Sequence, residues 1–155
     1  MELIKLLVVD DHRLIINGIR TMLEEVDDIE IVAEASNGNE AIEAVRLYPE
    51  LTVVLMDVKM PLKDGVEATR EIMALRPDLK VMALTMFEED KFIGNMLQAG
   101  AIGYVLKHTS KSELIAAIRK ISEGEPYFSH DIARMVMSRY LANRLPPSTL
   151  PSFGG

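Results

Sequence analysis

Four apolar runs of strand length in this chain each end on a polar side chain with chemistry of its own. Leu6-Leu7-Val8-Val9 runs into Asp10-Asp11, and Val53-Val54-Leu55-Met56 into Asp57. Val81-Met82-Ala83-Leu84 runs into Thr85, and Tyr104-Val105-Leu106 into Lys107. The first of these runs lacks polar alternation, as suits a strand of a sheet covered on both faces. In a parallel sheet the strand C-termini share one edge, and the ligand crevice of open α/β sheets lies outside that edge. Such a sheet therefore brings three carboxylates, a hydroxyl and an ammonium to one place.

Segments of helical period alternate with the strands. Leu14, Ile15, Ile19, Met22, Leu23 and Val26 recur at helical spacing after the first strand. A second strand is expected over Ile29 to Ala35, then a helix with Ala41, Ile42 and Val45 inward and Pro49 just past its end. After Asp57, Pro61 and Asp64-Gly65 mark a turn before a helix with Val66, Ile72 and Met73, which stops before Pro77. Phe92, Ile93, Met96 and Leu97 follow Thr85 on a helix closed by Gly100. Ser110-Lys111-Ser112-Glu113 reads as a capping box opening a helix with Leu114, Ile115, Ile118 and Ile121, with Gly124 behind it.

Five strand–helix units describe an α/β domain with a doubly wound, five-stranded parallel sheet of the flavodoxin-like kind. The expected strand order is 2-1-3-4-5, the common one at this size. Ser129 to roughly Asn143 reads as an added C-terminal helix with a stripe of Ile132, Met135, Val136 and Tyr140. From Leu145 the chain turns rich in Pro, Ser and Gly, a composition of linkers and loose ends. The expected division is 1–124 for the main domain, 125–144 for the extra helix and 145–155 for a linker or tail.

Composition narrows the function classes. A net charge of -7 argues against a surface built mainly to hold nucleic acid or anionic lipid. The absence of cysteine excludes disulfides and thiolate metal sites. The N-terminal apolar run stops at two aspartates, so it is neither a signal peptide nor a membrane span. A cytoplasmic protein without membrane contact is expected. No Gly-x-Gly-x-x-Gly or Gly-x4-Gly-Lys-Ser/Thr signature marks a nucleotide site.

Asp10, Asp11 and Asp57 held together would repel one another unless neutralised. A hard divalent cation and Lys107 are the two groups able to do that. Mg²⁺ suits the cation role, because it takes oxygen ligands and is often completed by phosphate. A carboxylate between Mg²⁺ and an ammonium is set up to attack a phosphoryl group, with Lys107 and the Thr85 hydroxyl holding the transferring oxygens. The product would be an aspartyl phosphate on Asp57. His12, His108 and His130 form no metal-ligand spacing, and His12 reads as a cap or an outer partner of the acids. Tyr104 reads equally as a buried or a mobile ring.

These residues resemble a bacterial response-regulator receiver domain. The resemblance rests on Val8-Val9-Asp10-Asp11-His12, Leu55-Met56-Asp57-Val58-Lys59-Met60-Pro61 with Asp64-Gly65, Ala83-Leu84-Thr85, and Gly100-Ala101-Ile102-Gly103-Tyr104-Val105-Leu106-Lys107. The first and last motifs look most like the subfamily with a LuxR-type helix-turn-helix output, and a sixth helix with a linker suits it too.

The resemblance implies that Asp57 accepts phosphate from a sensor histidine kinase, and that Asp10, Asp11, Asp57 and the backbone carbonyl of Lys59 hold Mg²⁺. It implies that Thr85 and Lys107 contact the phosphoryl group, that Tyr104 is the switch partner of Thr85, and that Lys59 and Phe87 tune the phosphate lifetime. It further implies a signalling domain rather than an enzyme, promoting only its own aspartyl phosphorylation and dephosphorylation. A phosphorylation-dependent homodimer and control of DNA through an output domain not present in this chain also follow. His108 departs from the proline that many receivers carry after the lysine.

Two other classes stay open. A haloacid-dehalogenase-type enzyme would carry a second acid two residues after the nucleophile, where Lys59 stands. A stand-alone or phosphate-independent interaction module of the same fold is the other.

Overall fold

A computed structural model describes residues 2–86 and 91–144 of the chain. Strands β1 (Ile4–Val9), β2 (Ile29–Ala35), β3 (Val53–Asp57), β4 (Lys80–Thr85), β5 (Gly103–Leu106) and β6 (Tyr127–Phe128) alternate with helices. The helices are α1 (Arg13–Leu23), α2 (Gly38–Leu47), α3 (Gly65–Leu75), α4 (Ile93–Ala99), α5 (Lys111–Ser122) and α6 (His130–Arg144). All strand pairs are parallel, in the order β2-β1-β3-β4-β5-β6.

The period of two along each strand sorts side chains into two cores. Leu7 and Val9, Val54 and Met56, and Val81 and Ala83 pack with Ala41, Val45, Ala68, Ile72, Ile93 and Met96 of α2, α3 and α4. Leu6 and Val8, Val53 and Leu55, and Met82 and Leu84 pack on the other face with Ile16, Ile19 and Leu23 of α1 and Leu114, Ile118 and Ile121 of α5. Cover on both faces is why the central strands carry no polar alternation.

Three expectations need correction. The sheet has six strands, not five. Gly124, at φ 85°, redirects the chain after α5. Tyr127 N–H then donates to Ile102 O at 3.2 Å and Ser129 N–H to Tyr104 O at 3.1 Å, which adds β6 at the edge of β5. On α1, Leu14 is 85% exposed and the inward face is Ile16, Ile19 and Leu23. Two residues of helix turn the chain by about 200°, so Leu14 points away from Ile16. The capping box at α5 is half formed. The Ser110 hydroxyl accepts from Glu113 N–H at 3.2 Å, but the Glu113 carboxylate accepts from the Thr109 hydroxyl instead of returning to Ser110.

The sixth helix carries Ile132 into the α2–α3–α4 core, with Met135 and Val136 packed against it. The side chain of Tyr140, Phe87 and the Pro/Ser/Gly-rich segment lie outside the described residues. Among the described residues, no helix is long and apolar enough to cross a membrane.

Candidate functional site

The strand register levels the polar strand ends against one another. Asp57 pairs with Leu84 and Thr85 with Leu106, and Lys107 N–H donates to Thr85 O at 2.8 Å. Asp10, one residue beyond β1, is tied by its N–H to Ala35 O at 3.0 Å. Asp10, Asp57 and Thr85 are all fully buried. Lys107 reaches in from β5 with Nζ 2.9 Å from Asp57 Oδ1 and 3.1 Å from Asp10 Oδ2.

Burial is the largest influence on Asp57 and pushes its carboxyl up to about 7, against the Lys107 bond that favours the anion; the Asp10 charge pushes the same way as burial. Burial works against the Lys107 charge too, but Asp57 and Asp10 outweigh it and hold the ammonium above its ordinary value. One cation beside three acids leaves negative charge over. Asp57 Oδ2 is buried with no hydrogen-bond partner, and ligand atoms of Asp10, Asp11, His12 and Asp57 all lie within 4.8 Å of one another. An oxygen-rich pocket with an orphaned carboxylate oxygen fits a hard divalent cation. All the acids, the threonine and the lysine expected at this edge are brought together.

Residues 6–119 match the family model described as the response regulator receiver domain. The chain belongs to that family. It is 46% identical over 135 residues to the response regulator GacA of Pseudomonas syringae pv. syringae, covering 86% of this chain and 62% of that protein. It is 39% identical over 152 residues to the transcriptional regulatory protein LiaR of Bacillus subtilis, covering 96% of this chain and 71% of that one. Among solved structures, a LuxR-family two-component response regulator from an Aurantimonas species matches with a TM-score of 0.83 and 31% identity. That match covers 90% of this chain and 99% of that one. The chain thus spans less than two thirds of the GacA relative's length.

Other parts of this receiver sit around the acids. Thr85 Oγ1 donates to Met86 O at 3.1 Å. The Tyr104 ring is fully buried, in the core that holds Ile93 and Met96. The exposed Lys59 side chain lines the mouth with His12, Leu14, Ile15 and Met86, around a cavity of about 550 Å³ that reaches Lys107.

One site residue, Gly65, and one turn in the loop before it, at Leu62, were not legible as such. Gly65 N–H donates to Val58 O at 2.8 Å, and a Cβ on Gly65 would lie 2.0 Å from Asp57 O. The first turn of α3 is therefore seated on the peptide of Asp57 itself, while the dipeptide Asp64-Gly65 announces only a turn. Leu62 adopts φ 70° and is 83% exposed, with Lys63 N–H donating to Pro61 O at 2.8 Å across it. That γ-turn carries no glycine to signal it. Of the two roles expected for His12, the structure shows the one beside the acids: the ring lies against Asp10 and Asp11, and the side chain does not cap α1.

Proposed function

We propose that this receiver is switched by a phosphoryl group that Asp57 accepts from a sensor histidine kinase. The observation that carries the reading is Asp57 itself: buried, held at one oxygen by Lys107 and left without a partner at the other. The free oxygen attacks phosphorus, the bond from phosphorus to the donor breaks, and the leaving group keeps its electron pair. Lys107 and the Thr85 hydroxyl hold the phosphoryl oxygens. Mg²⁺, when bound by Asp10, Asp11, Asp57 and the Lys59 carbonyl, would neutralise the acids and the charge arriving with the phosphate.

Capture of the phosphate draws Thr85 toward it, and the adjoining face of β4, α4 and β5 rearranges around the Tyr104 ring. Lys59 at the mouth and Phe87, outside the described residues, set how fast water reaches the phosphate. The chain catalyses no other reaction. We read residues 1–124 as the receiver, 125–144 as an added segment and 145–155 as a linker. Cytoplasmic work, homodimerisation on phosphorylation and control of DNA through an output domain beyond these residues complete the reading. The relative named a transcriptional regulatory protein supports that last part.

The test is intact mass after incubation with Mg²⁺ and acetyl phosphate. Wild type gains one phosphoryl group, and Asp57→Asn, which keeps the shape but loses the nucleophile, gains none. An equal gain in both chains removes Asp57 from this role.

A further inference from the structure

The His12 ring is turned into the acid cluster. Its Nδ1 lies 3.1 Å from Asp10 Oδ1 and 3.2 Å from Asp11 Oδ1, and its backbone N–H donates to Asp10 Oδ1 at 2.8 Å. Bonds of about 2.1 Å place adjacent donors about 3.0 Å apart around an octahedral cation and about 3.4 Å apart around a tetrahedral one. The nitrogen–oxygen separations here fall within that interval. Lys107 takes Asp10 Oδ2 and Asp57 Oδ1, which leaves Asp10 Oδ1, Asp11 Oδ1 and the orphaned, fully buried Asp57 Oδ2 for a cation.

We propose that His12 Nδ1 is a further ligand of this site, beside Asp10, Asp11, Asp57 and the Lys59 carbonyl, fitting it to late first-row divalent cations such as Zn²⁺ and Co²⁺ as well as Mg²⁺. The proposal rests on the reading of Asp10, Asp11 and Asp57 as a cation site and adds a nitrogen donor to it. Carboxylate and water suit Mg²⁺, whereas imidazole suits zinc and its neighbours in the first row. Mg²⁺ keeps several waters, so an imidazole adds little to its binding. Ligation through Nδ1 places the ring hydrogen on Nε2, and with the side chain 64% exposed, water can accept from it. The side chain makes no cap bond to α1, and what coordination would replace is the Nδ1 hydrogen bond with Asp10 Oδ1 at 3.1 Å.

Calorimetric titration of wild type, His12→Phe and His12→Gln with MgCl₂, ZnCl₂ and CoCl₂, in phosphate-free buffer, tests the assignment. The visible ligand-field absorption of Co²⁺ is read in parallel. Zn²⁺ affinity should fall by at least about tenfold in both variants, since outer-shell partners alone are worth 10–100-fold. Mg²⁺ affinity should stay close to wild type, and the Co²⁺ band should shift with loss of nitrogen. His12→Gln keeps a polar side chain should His12→Phe disturb the fold. Zn²⁺ affinity that is unchanged, or that rises or falls in step with Mg²⁺, overturns the proposal, because His12 would then be a bystander, a competitor for the cation or a prop for the acids.

Asp11→Ala separates this proposal from the reading beneath it. If it weakens neither cation, the acid cluster is no cation site and both fail. If it weakens both while His12→Phe spares Zn²⁺, only the ligand assignment falls. If it weakens Mg²⁺ alone, zinc sits elsewhere and the assignment is wrong.

Discussion

Gly65 and Gly18 have opposite surroundings, and the contrast predicts opposite effects of the same substitution. A Cβ on Gly65 would be 2.0 Å from Asp57 O and 2.9 Å from Val58 Cα, both backbone atoms that cannot swing aside. Gly65→Ala should therefore cost about 1–3 kcal/mol, the usual penalty for overpacking, and should slow phosphorylation by displacing Asp57. A Cβ on Gly18, exposed within α1, meets nothing within 4 Å. Gly18→Ala should stabilise by about 0.5–1 kcal/mol and leave phosphorylation alone. Urea denaturation with timed mass measurements reads both; a harmless Gly65→Ala would mean that the α3 turn does not set the nucleophile. The same contrast explains what was readable beforehand. Asp57, Thr85 and Lys107 were legible because they end strands, and a parallel sheet gathers strand ends whatever the loops do. Gly65 matters through the Asp57 peptide that the intervening loop brings against it, and sequence spacing does not encode that return path.

At the level of elements, periodicity found each helix and each of the first five strands, because each buries a face against the sheet. It failed in two places for lack of length. Two-residue β6 is too short for any period, and its place follows from the turn at Gly124 and two hydrogen bonds onto β5. The first turn of α1 offers Leu14, Ile15 and Ile16 in succession, and only the phase of the completed helix shows that Ile16 faces inward and Leu14 outward. Capping is local and was legible at α5 down to the Ser110–Glu113 bond. Ser110→Ala leaves the Glu113 N–H without that acceptor and should cost about 1 kcal/mol of unfolding free energy. Ser110→Asp, another good cap, should recover most of it. If Ser110→Ala is neutral in chemical denaturation, the hydroxyl does not anchor the helix that follows Lys107.

For the molecule as a whole, a parallel sheet that gathers its strand ends also gathers their charge, and the fold carries that cost. Asp57 is pushed from 3.8 to about 7, with burial the main cause. A carboxyl held higher in the folded state binds a proton there that the unfolded chain has released. Its contribution is thus full below pH 3.8 and lost as pH rises through about 7. Asp28 and Asp78 act in the opposite sense: bonds from Arg119 and Arg76 hold them low, and their contribution is lost as pH falls. Total stability therefore mixes both trends, and the difference between wild type and Asp57→Asn isolates the first. That difference should move in favour of Asp57→Asn by up to a few kcal/mol between about pH 4 and pH 7, each pKa unit being worth about 1.4 kcal/mol, and level off above. Millimolar-scale Mg²⁺ near pH 8 should raise the wild-type midpoint and narrow the gap, because the cation favours the ionised carboxylates of the folded site. Asp11→Ala should lose most of that rise. A gap between wild type and Asp57→Asn that is the same at every pH would show that Asp57 titrates like an ordinary surface acid, and the sheet edge would then bear no electrostatic strain for a cation or a phosphoryl group to relieve.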